Sequence, residues 1–159
     1  MGRPFLSLQK IMKMNNRIRI GQVEPEAYKA MLAFDKYIGS TQLSTVHKNL
    51  IKIRTSQVNG CAYCVDMHTK EALDAGENEQ RLFALSVWRD TPFFTEDERA
   101  LLALTEEVTL INHHVSDETY GQAIKLLGEK YLAQAIMAII AMNSWNRIGI
   151  ATQMQPAVR

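Results

Sequence analysis

Cysteine is scarce in this chain: two among 159 residues, both within one four-residue motif. So small a supply excludes the disulfide framework of small secreted domains and makes a reducing cytoplasm the expected setting. Charge of one sign is missing as well, since 18 lysines and arginines stand against 17 acids, a net charge of +1. That balance offers no basic surface for nucleic acid as an obligate partner. Long hydrophobic runs are also absent. The most apolar stretch, residues 131–142, is interrupted only by Gln134 and is 12 residues long, too short to cross a bilayer, so no membrane partner is expected. The opening Met-Gly-Arg-Pro-Phe-Leu-Ser-Leu-Gln-Lys has neither the apolar core nor the cleavage site of a secretion signal. No strand alternation, internal repeat, low-complexity tract or linker interrupts the sequence, which leaves helical periodicity as its organising pattern.

What is there reads as one all-α domain spanning residues 1–159, with its core over about 24–154. A hydrophobic content of 47% and a charged content of 22% suit a soluble globular protein of this length. Periodicity predicts some six to eight helices by count of segments. Residues 24–38 form one, with Pro25 in its first turn and Tyr28, Met31, Leu32, Phe34 and Ile38 as its inward stripe. Residues 43–58, carrying His47 and Asn49, form the next, with Arg54 expected in a structural ion pair or cap. Asn78 caps a short helix that ends at Arg89-Asp90-Thr91-Pro92. Thr95 and Glu98 then fit a capping box, with Phe94 as a hydrophobic staple. Glu106 and Glu107 are expected on a solvated face, and His113-His114 on plain surface, because adjacent side chains diverge. Ser116 caps residues 117–127. A final helix over 129–154 is expected to be buried on every face, in the centre of the bundle or at a subunit contact, because residues 131–142 are so uniformly apolar. Asn143, Asn146 and Arg147 are expected to make structural hydrogen bonds at an interface. Residues 3–19, with Met12, Met14 and Ile18 among basic residues, read as a short helix and an arm or as a surface for a neighbouring subunit. A basic membrane-binding helix is disfavoured there, because Asn15-Asn16 and Gly21 interrupt it.

The chemistry concentrates in residues 54–71, Arg-Thr-Ser-Gln-Val-Asn-Gly-Cys-Ala-Tyr-Cys-Val-Asp-Met-His-Thr-Lys-Glu. Asn59-Gly60 reads as a helix-breaking turn, because glycine takes left-handed backbone angles at little cost. A new helix starts at Cys61 and runs towards a stop at Gly76. At about 100° per residue, Cys61, Cys64 and His68 fall within an arc of roughly 60°. Cα atoms three apart on a helix lie roughly 5 Å from each other, within the range a disulfide accepts. Unpaired N–H groups and the positive dipole end favour thiolate there, and an imidazole one turn on can move a proton near neutral pH. The site suits two-electron thiol–disulfide chemistry. Two other readings use the same residues: a zinc site on Cys61, Cys64 and His68, which lacks a fourth ligand, and a pair of buried apolar cysteines beside a structural histidine. Haem attachment is excluded, since Val65 follows the second cysteine where a histidine is needed.

The run Arg54–His68, followed by Lys70-Glu71-Ala72 and Gly76, closely resembles the AhpD-like alkylhydroperoxidases of the carboxymuconolactone decarboxylase superfamily. The likeness extends to Pro25-Glu-Ala-Tyr-Lys-Ala-Met31, Trp88, Thr95-Glu-Asp-Glu-Arg-Ala-Leu101 and Asn143-Ser-Trp-Asn-Arg147. The resemblance implies an all-α bundle forming trimers or hexamers, with no cofactor and no metal. It implies a hydroperoxide substrate, organic or hydrogen peroxide, and an external thiol or disulfide reductant. Cys64 would be the peroxidatic thiol, Cys61 its resolving partner and proton donor, and His68 part of the proton relay. Other members of the superfamily are non-redox lactone decarboxylases, and a non-catalytic thiol sensor or scaffold on this fold is a further alternative.

One position departs from the pattern. The family's relay glutamate, twelve residues before the first cysteine, is Asn49 here. An amide cannot exchange a proton at neutral pH, so either the relay lacks a carboxylate or a group such as His47 or Glu71 takes its place. Restoring glutamate at 49 is expected to raise peroxide turnover.

Overall fold

The structure is a computed structural model that describes residues 17–158. The expectations for residues 3–16 lie outside it. Every regular element among the described residues is helical. A short α1 (Ile20–Val23) leads into α2 (Pro25–Ser40), α3 (Thr45–Asn59) and α4 (Ala62–Asp74). Then come α5 (Glu79–Ala84), a 3₁₀ segment (Leu85–Asp90), α6 (Glu96–Thr109), a 3₁₀ turn (Ile111–His113), α7 (Asp117–Leu127) and α8 (Glu129–Ala151). None of these helices is long and apolar enough to cross a membrane.

The helix starts follow their capping residues. Ser44, Asn78 and Ser116 each accept backbone N–H bonds from the first turn they precede. Thr95 and Glu98 form the reciprocal capping box expected of them.

The interior is organised round α3, which packs against α4, α6 and α8. One cluster joins Ile51 of α3 to Leu101 and Leu104 of α6 and to Leu132, Ala135 and Ile139 of α8. A second joins Leu50 and Ile53 of α3 to Ala72, Leu82, Leu85, Trp88 and Leu102. Opposite faces of one helix therefore feed two clusters, as its 3.6-residue period allows.

Two expectations change. Within one chain α8 is not buried on every face: Met137, Ile140 and Ile150 stay exposed, because the bundle covers only the sides facing α2, α3, α4, α6 and α7. Nor is Glu106 solvated. Its side chain is only 12% exposed and lies against Arg54 at 2.8 Å. It also accepts bonds from Trp88 Nε1 at 2.8 Å and from Arg89, so the expected ion-pair role of Arg54 holds. Burial pushes the Glu106 pKa up, but these hydrogen bonds and the neighbouring guanidinium charge bring it below its ordinary value. Glu107 accepts bonds from Ser116 and Thr119, tying α6 to the start of α7. His113 and His114 are exposed, as expected.

Candidate active site

The end of α3 sets the position of the sulfurs. Gly60 takes a left-handed conformation, φ 71° and ψ 31°, which a residue with a Cβ adopts only at a cost. Its N–H donates to Gln57 O and that of Cys61 to Ser56 O, closing α3 and reversing the chain into α4. Cys61 is the extended residue just before α4, and its carbonyl accepts the first helical bond, from Val65 N at 2.9 Å. Cys64 is the third residue of the helix. The two are joined as a disulfide with Cα atoms 5.3 Å apart, and both are nearly fully buried.

The turn is braced from α8. Asn59 Nδ2 donates to the side-chain oxygens of Asn143 and Asn146, both at 2.9 Å, and Asn146 Nδ2 donates to Ser56 Oγ at 3.0 Å. Arg147 donates back to Asn143 O and Oδ1. The polar cluster expected near 143–147 is therefore structural, and the interface it serves lies inside the chain, between α3 and α8.

Beside the sulfurs, and lined in part by α8 itself, is a cavity of about 220 Å³. Cys64 and His68 line it, whereas Cys61 does not. Its walls are mostly apolar: Tyr28, Tyr63 and Trp145, with Met67, Met142 and Ile148. Tyr28 and Trp145 meet edge to face, ring centroids 5.3 Å apart. Its polar lining comprises Asp35, Lys48, Lys52 and Glu71. Among the described residues no group of three or more His, Cys, Asp or Glu is placed to hold a metal ion.

His68 sits one turn after Cys64, buried, with Nδ1 2.8 Å from Glu71 Oε2. Burial lowers its pKa below the ordinary 6.5; the Glu71 hydrogen bond opposes that and the Lys52 charge adds to it. The imidazole is thus neutral near neutral pH, able to accept a proton.

The remaining candidates divide. Glu71 reaches His68. Asn49 is buried on α3, and no hydrogen bond joins it to His68. His47 is not brought to the sulfurs: Nδ1 is 2.7 Å from Tyr131 Oη and Nε2 is 3.5 Å from Asp97. Residues two apart on a helix point in different directions, so His47 cannot share the face of Asn49.

Sequence reasoning missed Gly149, Lys52 and the aromatic wall. A Cβ on Gly149 would stand 3.1 Å from Cys61 Sγ and 3.4 Å from Cys64 Sγ, so α8 meets the disulfide with bare backbone. The available signal was an isolated glycine inside an apolar helical pattern, which marks close packing.

A helix-start disulfide, a neutral histidine and a mostly apolar cavity on an all-α bundle define the class. Residues 25–107 match the model of the carboxymuconolactone decarboxylase family, and the chain is an AhpD-like member of it. It is 40% identical over 139 residues to the uncharacterized protein YdfG of Bacillus subtilis (strain 168), covering 87% of this chain and 95% of that one. Its fold matches the crystal structure of ATU0492 from Agrobacterium tumefaciens with a TM-score of 0.88 and 39% identity, over 90% of this chain and 99% of the other. That protein is of unknown function, provisionally assigned as the antioxidant defence protein AhpD. The debrominase Bmp8 shares the fold with a TM-score of 0.79 at 22% identity, over 86% of this chain and 74% of that one.

Proposed function

We propose that this protein is a thiol-dependent peroxidase that reduces hydroperoxides through Cys64 and Cys61. The observation that carries the reading is the asymmetry of the pair: Cys64 opens onto the cavity beside His68, whereas Cys61, bonded to it, does not. The fold alone does not select this chemistry, since a debrominase shares it.

In the reduced protein His68 takes the Cys64 thiol proton, and the helix start favours the thiolate. The thiolate attacks the terminal peroxide oxygen and the O–O bond breaks. Sulfur keeps one oxygen as a sulfenic acid, and the alkoxide recovers the proton from His68 and leaves as an alcohol. The Cys61 thiol then attacks Cys64 Sγ. The S–O bond breaks, the S–S bond forms, and the Cys61 proton leaves with the hydroxyl as water. An external dithiol supplies two electrons and two protons to restore both thiols. A homo-oligomer belongs to the same reading, supported by the exposed apolar residues of α8, and so does a cytoplasmic setting, where a reducing environment returns the pair to thiols.

Trapping of sulfenic acid tests it. Cys61→Ser should accumulate the adduct after one equivalent of cumene hydroperoxide, and Cys64→Ser should give none. Equal trapping in both variants, or hydroperoxide consumption that survives loss of both cysteines, would sink the assignment.

A further inference from the structure

Where the family carries its relay glutamate, this chain has an amide, yet His68 is not left without a carboxylate. Glu71, three residues along the same helix, sets Oε2 2.8 Å from His68 Nδ1; that spacing makes the two side chains neighbours on one helix face. Lys52 of α3, three residues beyond Asn49, brings Nζ to 3.8 Å from the same carboxylate oxygen. Lys52, Glu71, His68 and Cys64 all line one cavity. Glu71 is 48% exposed, so it can exchange protons with solvent, which a carboxylate buried at position 49 would do less readily.

We propose that Glu71, held by Lys52, is the relay carboxylate of this protein, moved from α3 to the histidine's own helix, where it positions His68 for proton transfer at Cys64. By accepting from Nδ1–H, Glu71 leaves the Nε2 lone pair as the base. Lys52 holds the carboxylate in place from α3. Both act through His68 and are positioning residues.

The charged groups round the imidazole are few. Asp35 comes from α2, Lys48 and Lys52 from α3, and Glu71 from α4; α8 contributes no charged side chain to the cavity lining. Lys48 is turned towards the end of α2, donating to Gly39 O and Thr41 O at 2.9 and 3.4 Å. Of the remaining charges, Glu71 and Asp35 raise the His68 pKa, and Lys52 lowers it.

The role in turnover rests on the peroxidase reading; the arrangement itself does not. The experiment is an NMR titration of His68 in the reduced protein, wild type against Glu71→Gln and Lys52→Met, alongside stopped-flow oxidation of each by cumene hydroperoxide. Glu71→Gln should lower the His68 pKa and slow Cys64 oxidation by about tenfold or more. Lys52→Met should raise that pKa. A general loosening of the fold would not move the pKa in opposite directions. Asn49→Glu should increase the rate more in the Glu71→Gln background than in wild type, because the two carboxylates then serve one function. An active wild type whose His68 ignores both substitutions overturns this proposal alone. Opposed shifts in a protein inert to hydroperoxides support the arrangement and overturn the peroxidase reading instead.

Discussion

Gly149 shows how much one absent side chain can decide. Its backbone lies so close to both sulfurs that a methyl group would press on them at 3.1 and 3.4 Å. Gly121, also inside a helix, has nothing within 4 Å of the same position. Gly→Ala in a helix interior ordinarily stabilises by about 0.5–1 kcal/mol, while overpacking costs about 1–3 kcal/mol. Gly121→Ala should therefore raise the thermal midpoint and Gly149→Ala should lower it in the disulfide form, as read by calorimetry on the two variants side by side. Equal gains would mean that the contact at Gly149 yields freely. Cys64 and His68 could be placed on one face from spacing alone, because helical geometry fixes the angle between residues 4 apart; Cys61, expected to share that helix, stands one residue before it in extended conformation. Lys52 could not, since its relation to Glu71 depends on how two helices cross.

Between elements, the junction of α3 and α8 holds the sulfurs in register. Asn146 is fully buried and joins Ser56 and Asn59, the residues just before the turn into Cys61. Asn146→Ala removes an acceptor from Asn59 and a donor from Ser56, so it should cost about 1–3 kcal/mol. Urea denaturation checks this, and an unchanged midpoint would show that the network carries no stability. The capping residues Asn78, Thr95 and Ser116 were readable because a cap is a local event, whereas Ser44, which caps α3, was passed over by a helix start read at residue 43. Glu106 was not: its partners come from α3 and from the 3₁₀ segment before α6, and only packing brings those together.

Across the whole molecule, the shifted histidines and carboxylates push stability the same way with pH. Burial lowers the pKa of His47 and of His68 below 6.5 despite nearby carboxylates. Each therefore binds its proton more readily in the unfolded chain, so this contribution is complete above about pH 6.5 and is lost as pH falls through the folded pKa. Asp97 is lowered by its bond from Thr95. In Glu98 burial works upwards, but the hydrogen bond from Arg81 and the capping bonds outweigh it. These carboxylates, with Glu106, keep their contribution until pH drops below about 4.5 and lose it further down. Denaturation midpoints should be flat above neutrality, fall first below about pH 6.5 and again in the carboxylate range. A rise in stability between pH 7 and 5 would contradict both histidine shifts.

By itself the sequence determined the helical class, most helix starts and the sulfur pair with its histidine, because each depends on periodicity, capping or backbone freedom within a few residues. Tertiary structure alone decided which cysteine faces the cavity, that His47 belongs to Tyr131 and Asp97, and that Lys52 meets Glu71. Those facts depend on distances between helices far apart in the chain, which packing of the two core clusters sets and no local pattern encodes.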